Sequence, residues 1–283
     1  MTEEWRWVRT GFNDAFTNMA IDEMILISRI SGAVPNTIRS YRWNPSAVSL
    51  GFSQEVEKEV ELEACKRLGV DLVRRQTGGG AVYHDSDGEL TYSIVASFDA
   101  IPSDVIASYR YLCDGIVLAC RHIGLNAQMS FNDRARQCPN VMVNGKKISG
   151  SAQTRRRNAL LQHGTMLVDS NLETMTRILK MGRPTADMSL EKLQSKVTTL
   201  THVLERPVSI KEVEDSLRLG FEKTLNVKLS EQGLSSLELR QASELRLRKY
   251  STYEWNFRRE MDGEREPSQF TPSEQSRSIS RPS

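Results

Sequence analysis

No stretch of this 283-residue chain reaches about 18 consecutive apolar residues, which excludes a membrane-spanning helix and any expected membrane partner. The first residues, MTEEWRWVRTGF, lack the apolar core of a signal peptide, so a cytoplasmic location is expected. Charge of one sign is not in excess: 38 Lys and Arg against 36 Asp and Glu leave +2, so no overall field marks a nucleic-acid binder. The four cysteines, Cys65, Cys113, Cys120 and Cys138, form no CxxC pair, which argues against a zinc ribbon or thioredoxin-like centre, and no resident metal is expected. What is present, 39% hydrophobic and 26% charged residues, describes a soluble globular protein long enough to bury a substantial core.

Residues 4–10 alternate large and polar side chains as an opening strand does, and Gly11 is expected to break them. Asp14 caps a helix predicted over 15–29. TIRSYRW and AVSLGFS read as two strands joined at Asn44-Pro45, and a helix is predicted over 54–69, ending at Leu68-Gly69. The strand DLVRRQ, a glycine loop and the strand 89–98 follow. Ser103 to Ile123 is the longest helical stripe; Cys113 and Cys120 lie on it and read, like Cys65, as buried small hydrophobes. After an irregular loop, 130–140, comes a strand, an Asn-Gly turn and a strand, VMVNGKKISGSAQTRR, then a strand over 159–168. Strands interrupted by single helices and hairpins predict a mixed sheet of class α+β. The last third predicts helices over 171–183, 209–225 and 231–250, the second opened by a Ser209/Glu212 capping box. One domain is expected over 1–260, its helical part about 171–260, followed by a polar, disordered tail at 261–283.

The chemistry centres on 71–85, DLVRRQTGGGAVYHD. Its glycine run fits a flexible hairpin turn, or backbone closely approaching a ligand. The preceding arginines favour the second, because a guanidinium fork beside exposed N–H groups receives a carboxylate or phosphate. In NGKKISGSAQTRR, strand alternation lets only one of Lys146 and Lys147 face a cavity. A fixed ammonium there stabilises charge developing in acyl or phosphoryl transfer.

RRQTGGGAVYHD, GKKISGSAQ, LQHGTMLV and STYEWNF, in this order and at these separations, resemble the lipoate–protein ligase and octanoyltransferase family. The resemblance runs from the first strand to about residue 260. It implies a mixed β-sheet with flanking helices, like that of biotin/lipoate protein ligase catalytic domains. It also implies attachment of lipoate or octanoate to a lysine of carrier domains, namely the lipoyl domains of 2-oxoacid dehydrogenases and the glycine cleavage H protein. By the same resemblance, Arg75 with Gly78, Gly79, Gly80 and Ala81 lines the pocket for acyl carboxylate and adenylate phosphate. Val82 and His84 continue its wall, His84 reading equally as a hydrogen-bonded structural histidine. Lys147 matches the family lysine and is expected at the acyl carbonyl and phosphate, with Lys146 facing solvent. Ser149, Gly150, Ser151 and Ala152 are expected to supply close backbone beside it, and His163, Gly164 and Thr165 an adjoining strand.

The branch of the family is contested within the sequence. A glycine loop without arginine resembles the ligases, and the main expectation is an ATP-dependent lipoate–protein ligase catalytic subunit. It would form lipoyl-adenylate, take ATP and Mg2+ as substrates and work with a separate accessory subunit. The alternative is an octanoyltransferase that takes its acyl group from octanoyl carrier protein through a Cys138 thioester, with no cofactor. Pro139-Asn140 favours this branch, because ligases carry Asn-Asp there and an amide cannot replace the carboxylate toward magnesium. Asn132-Asp133 lies too far upstream to substitute, whereas Arg134, Arg136 and Lys147 flank Cys138 and favour its thiolate. The tail of about 23 residues after EWNF fits either branch. A non-enzymatic carrier-domain binding module is disfavoured by the complete glycine loop and Lys147.

Overall fold

The structure, a computed structural model, describes residues 2–130, 138–184 and 188–260. Its strands are β1 Glu3–Asn13, β2 Thr37–Trp43, β3 Ala47–Leu50, β4 Asp71–Arg74, β5 Val82–His84, β6 Glu89–Ser97, β7 Ala127–Ser130, β8 Asn140–Val143, β9 Lys146–Arg156, β10 Ala159–Leu167 and β11 Val227–Glu231. They form an eight-stranded sheet, ordered β11-β1-β2-β6-β10-β9-β8-β7, and a three-stranded sheet, β4-β3-β5. β11, β1 and β2 run parallel while β2, β6, β10, β9, β8 and β7 pair antiparallel, so the large sheet is mixed and the class is α+β.

Every residue of β6 and of β10 is buried, which requires cover on both faces of the sheet. One face packs on helices Val105–His122 and Ile210–Leu225, through residues such as Leu112, Ile116, Leu217 and Phe221. The other packs on helices Ala15–Ile30 and Ser236–Leu245, with Trp43, Tyr250 and Trp255 in the same core. Cys113 and Cys120 are fully buried and Cys65 nearly so.

Several elements depart from the sequence reading. The helix expected over 54–69 is two short helices, Val56–Glu59 and Leu62–Leu68, and that expected over 171–183 is Leu172–Ile178. One contact ends two of these: Val60 and Leu179 pair as an isolated bridge, which pulls both residues into extended backbone. Of the expected last helix, 231–250, the first residue, Glu231, instead ends β11, and helix Ser236–Leu245 starts later, at a true capping box, Ser235/Glu238. The box read at Ser209 is half-formed: its hydroxyl accepts from the Glu212 N–H at 3.1 Å, but the Glu212 carboxylate pairs with Arg206. Gly11 does not end β1, which absorbs it as a register shift between Arg9 and Phe12. β7 and the short helices Leu190–Gln194 and Leu200–Leu204 had no expected counterpart. The expected tail, 261–283, lies outside the described residues.

After helix Ser236–Leu245 the chain forms two π-turns, Arg246–Tyr250 and Glu254–Arg258, and the second holds the EWNF sequence. Its job is visible at Arg74, the last residue of β4. The buried Arg74 guanidinium donates to the carbonyls of Trp255, Asn256, Gly51, Phe52 and Gln54. In return, Trp255 Nε1 donates to the Arg74 carbonyl at 2.8 Å. The C-terminal motif thereby fixes the strand from which the glycine loop departs.

Candidate active site

A cavity of about 450 Å³ lies between the small sheet and strands β6, β10 and β9. Its roof is the glycine loop, and Arg75 explains the loop's shape. Buried at 4% exposure, Arg75 donates Nε to Thr77 Oγ1 at 3.0 Å, Nη1 to the Ser49 carbonyl at 2.8 Å and Ser49 Oγ at 3.2 Å, and Nη2 to the carbonyls of Gly78 and Gly80 at 2.7 and 2.8 Å. The fork expected to grip an anion is therefore fully engaged by its own loop. Burial pushes its pKa down to about 10, so it stays cationic at neutral pH. With these carbonyls turned to Arg75, the N–H groups of residues 78–81 meet no acceptor among the described residues. Such a run of free N–H groups is an anion cradle. The loop is not a flexible turn: Gly79 sits at φ +90°, and a Cβ on Gly51 would lie 2.0 Å from the Gly79 carbonyl oxygen.

Behind the loop, two buried acid–imidazole–hydroxyl chains converge on Arg75. In the first, Asp22 Oδ2 lies 3.1 Å from His163 Nδ1, His163 Nε2 lies 2.7 Å from Thr77 Oγ1, and that hydroxyl accepts from Arg75. In the second, Glu89 Oε1 lies 2.9 Å from His84 Nδ1, His84 Nε2 lies 2.8 Å from Ser49 Oγ, and Ser49 again accepts from Arg75. Trp43 stacks on His84, ring centroids 4.0 Å apart. Burial opposes ionisation of Asp22, but Arg39, His163 and Ser93 outweigh it and hold the carboxyl below its ordinary range. Burial pushes His163 down, and Asp22 only partly restores it.

These directions set an acid sensitivity. His163 binds its proton more weakly folded than unfolded, so stability falls as pH drops below the ordinary histidine value, near 6.5. Asp22, also depressed, adds a second loss as pH falls from about 3.8 toward its lower folded value. The melting temperature is expected to drop between pH 7 and pH 5, and His163→Gln to show a shallower slope over that interval. Identical slopes in the two proteins would show that His163 is not the group responsible.

On the opposite wall, a β-bulge sets the lysine. β8 pairs Val141 with Ser149 but Met142 with Lys147, leaving Ile148 as the extra residue. The Lys147 backbone is held on its other side, its N–H donating to the Lys196 carbonyl at 2.8 Å and its carbonyl accepting from Thr198 at 3.0 Å. The side chain enters the cavity along Gly150, where a Cβ would lie 2.5 Å from Nζ. Burial lowers the Lys147 pKa, and the nearby Cys138 partly offsets this. Cys138, half-buried, lines the same cavity, with Sγ 3.4 Å from the Tyr109 hydroxyl. Gly150→Ala is expected to leave the fold intact, since only the end of a flexible side chain must move. Displacing that ammonium by about an ångström should slow any reaction that it assists in this cavity roughly 10- to 100-fold. Parallel activity and melting measurements check this.

Of the residues singled out in the sequence, the cavity gathers Arg75, Gly79, Gly80, Ala81, Val82, His84, Cys138, Lys147, Gly150, Ser151, Ala152, His163, Gly164 and Thr165. Gly78 is not in the lining, and Ser149 is buried beneath the sheet with its hydroxyl unpartnered. Lys146 is outside it, as strand alternation required. Asn140, read in the sequence as standing where a ligase carries an acid, is also in the wall, whereas sequence reasoning missed Met19, Tyr41, Trp43, Ser49 and Thr91 there, and Asp22 and Glu89 behind it. The available signal for Asp22 was an acidic residue inside the apolar stripe of helix Ala15–Ile30. Arg134, Arg136 and the pair Asn132-Asp133 lie outside the described residues.

The lining contains no carboxylate, and no group of three His, Cys, Asp or Glu among the described residues is placed to hold a metal ion. Asn140 stands at the wall with only a neutral amide. The described residues therefore do not fit a magnesium–triphosphate site. Among them, no helix is long and apolar enough to cross a membrane.

The family model for the lipoyl protein ligase A/B catalytic domain matches residues 14–222. Octanoyltransferase LipM of Geobacillus kaustophilus is 37% identical over 277 residues, covering 91% of this chain and 99% of the relative. Among solved structures, a bi-partite lipoate protein ligase from Thermoplasma acidophilum, studied with its E2 lipoyl domain, aligns with a TM-score of 0.79 at 32% identity, over 90% of this chain and 96% of that one. A lipoate-protein ligase A bound with ATP aligns with a TM-score of 0.78 at 33% identity, over 91% and 99%.

Proposed function

From the premise that this chain belongs to the lipoyl protein ligase A/B catalytic-domain family, enzymes that attach lipoyl or octanoyl groups to carrier proteins, we propose that it is an octanoyltransferase. It moves an octanoyl group from octanoyl carrier protein to a lysine of a lipoyl domain, or of the glycine cleavage H protein, through a thioester on Cys138. The carrying observation is that Cys138 lines one cavity with Lys147 and with Gly79, Gly80 and Ala81, whose N–H groups meet no acceptor among the described residues. Full-length relatives named octanoyltransferase support the same branch.

In the first half-reaction Lys147, whose lowered pKa favours the neutral amine, takes the Cys138 proton. The thiolate attacks the donor thioester, the new C–S bond forms as the donor's acyl C–S bond breaks, and Lys147 returns its proton to the departing donor sulfur, becoming neutral again. The oxyanion of the tetrahedral intermediate is stabilised by the Lys147 ammonium and loop N–H groups. In the second half-reaction the carrier lysine amine attacks the same carbonyl, the acyl bond to Cys138 breaks as the amide forms, and neutral Lys147 takes the amine's proton and passes it to the departing Cys138 sulfur.

The second reading, an ATP-dependent ligase with an accessory subunit, draws support from the aligned ligases, one of them bound with ATP. One assay separates the two: purified protein and a lipoyl domain receive either octanoyl carrier protein alone, or lipoate with ATP and magnesium, with and without a candidate accessory subunit. Modification from octanoyl carrier protein alone is expected. Modification only from lipoate and ATP would replace the transferase by the ligase.

A further inference from the structure

We propose that Tyr109 is a further catalytic residue, its hydroxyl donating to the Cys138 sulfur and stabilising the thiolate that starts acyl transfer; this rests on the Cys138 reading above. Tyr109 lies on helix Val105–His122 at 7% exposure, and its Oη lies 3.4 Å from Cys138 Sγ. No other side chain among the described residues hydrogen-bonds that hydroxyl. Burial, reinforced by the neighbouring sulfur, pushes the phenol pKa far up, so Tyr109 stays a neutral donor throughout the working range.

The bond also has a direction. It holds Sγ beside the glycine loop, 3.7 Å from where a Gly79 Cβ would sit. Among the described residues, the titratable groups near the sulfur are Tyr109 and Cys113 on the helix, Arg75 from the loop and Lys147 from β9. Of these, the two cations supply charge, while Tyr109 is the one neutral donor that hydrogen-bonds the sulfur among the described residues. On β9 opposite this helix, the Gln153 side chain engages Gln162 and Ser108 and the Ser151 hydroxyl engages Cys113 and the Pro139 carbonyl, while the Gln153 backbone N–H faces the Tyr109 hydroxyl.

A donor to a thiolate has a signature that packing does not. It raises the fraction of thiolate at a given pH but makes each thiolate less nucleophilic, because nucleophilicity falls with basicity at a Brønsted slope of about 0.4–0.5. If the hydrogen bond favours thiolate about tenfold, its loss slows thiol reactions roughly 3-fold at low pH and speeds them roughly 3-fold once every molecule is ionised. The two rate–pH curves cross.

The test measures iodoacetamide alkylation of Cys138, located by peptide mass, across pH 6–10 in the parent and in Tyr109→Phe. Crossing curves are expected, with kcat for acyl transfer reduced about 3-fold and KM for the carrier unchanged. Parallel curves would overturn the proposal, as would a changed KM with unchanged alkylation. If Tyr109→Phe fails to fold, fluorotyrosine at position 109, a stronger donor of similar shape, must accelerate alkylation at low pH; no acceleration overturns the proposal. Octanoyl carrier protein is added in a separate arm. Absence of an octanoyl adduct on the parent protein would remove the Cys138 reading, whereas an adduct with parallel alkylation curves would remove only Tyr109.

Discussion

Lys147→Ala is expected to slow acyl transfer by about 10²–10³-fold, the usual cost of removing one charge stabiliser at a developing oxyanion. Loss of proton uptake from Cys138 adds to it in the transferase mechanism. The melting temperature should hold or rise slightly, because truncation removes a charge whose burial opposes its ionised form. The backbone bonds that hold position 147, to Lys196 and Thr198, do not involve the side chain. Lys146→Ala, one residue away but outside the cavity, serves as the control and should retain near-normal turnover. The reverse result, an inactive Lys146 variant beside an active Lys147 variant, would mean that the bulge aims the chain the other way. Lys147→Arg is expected to fail as well, since the Gly150 face that admits a slim ammonium leaves little room for a planar guanidinium.

That bulge marks the boundary of what was readable in the chain. Alternation alone correctly leaves one lysine for the cavity, but a regular strand puts Lys147 and Ser149 on the same face. The extra residue at Ile148 moves Lys147 to the face of Gly150 and leaves Ser149 in the core. The glycine loop, the strand 159–168 and the long helix carrying Cys113 were legible because period and turn residues are local signals. The acid–imidazole chains were not. Asp22 and His163 are 141 residues apart, and each looks unremarkable alone: an acid on a helix and a histidine in a strand. Arg75 was legible as important but not in its role, since nothing local reveals that all its donors would fold the loop instead of meeting a ligand. Val60 and Leu179 show the same limit for helix lengths, because a tertiary bridge overrides good helical periodicity.

Cys138→Ser is expected to abolish both the octanoyl adduct and transfer from octanoyl carrier protein, by at least about 10³-fold. The substitution preserves size and the contact with Tyr109 but replaces a thiol with a hydroxyl that nothing in the cavity ionises. The other cysteines cannot stand in for it. Burial pushes Cys65 up to about 11 and Cys113 and Cys120 up to about 12, which keeps all three protonated and unreactive at neutral pH. Iodoacetamide at pH 7 should therefore label Cys138 ahead of these three, and the same peptide should carry the octanoyl mass. In a ligase the acyl group is activated as a mixed anhydride with AMP and the sulfur takes no part. A Cys138→Ser protein that still modifies a lipoyl domain from lipoate and ATP, with no adduct on the parent, would transfer the chemistry to that branch. Among the described residues the cavity wall carries no carboxylate, which makes the first outcome the expected one, because a thioester donor brings its own activated acyl group and needs no magnesium held beside it.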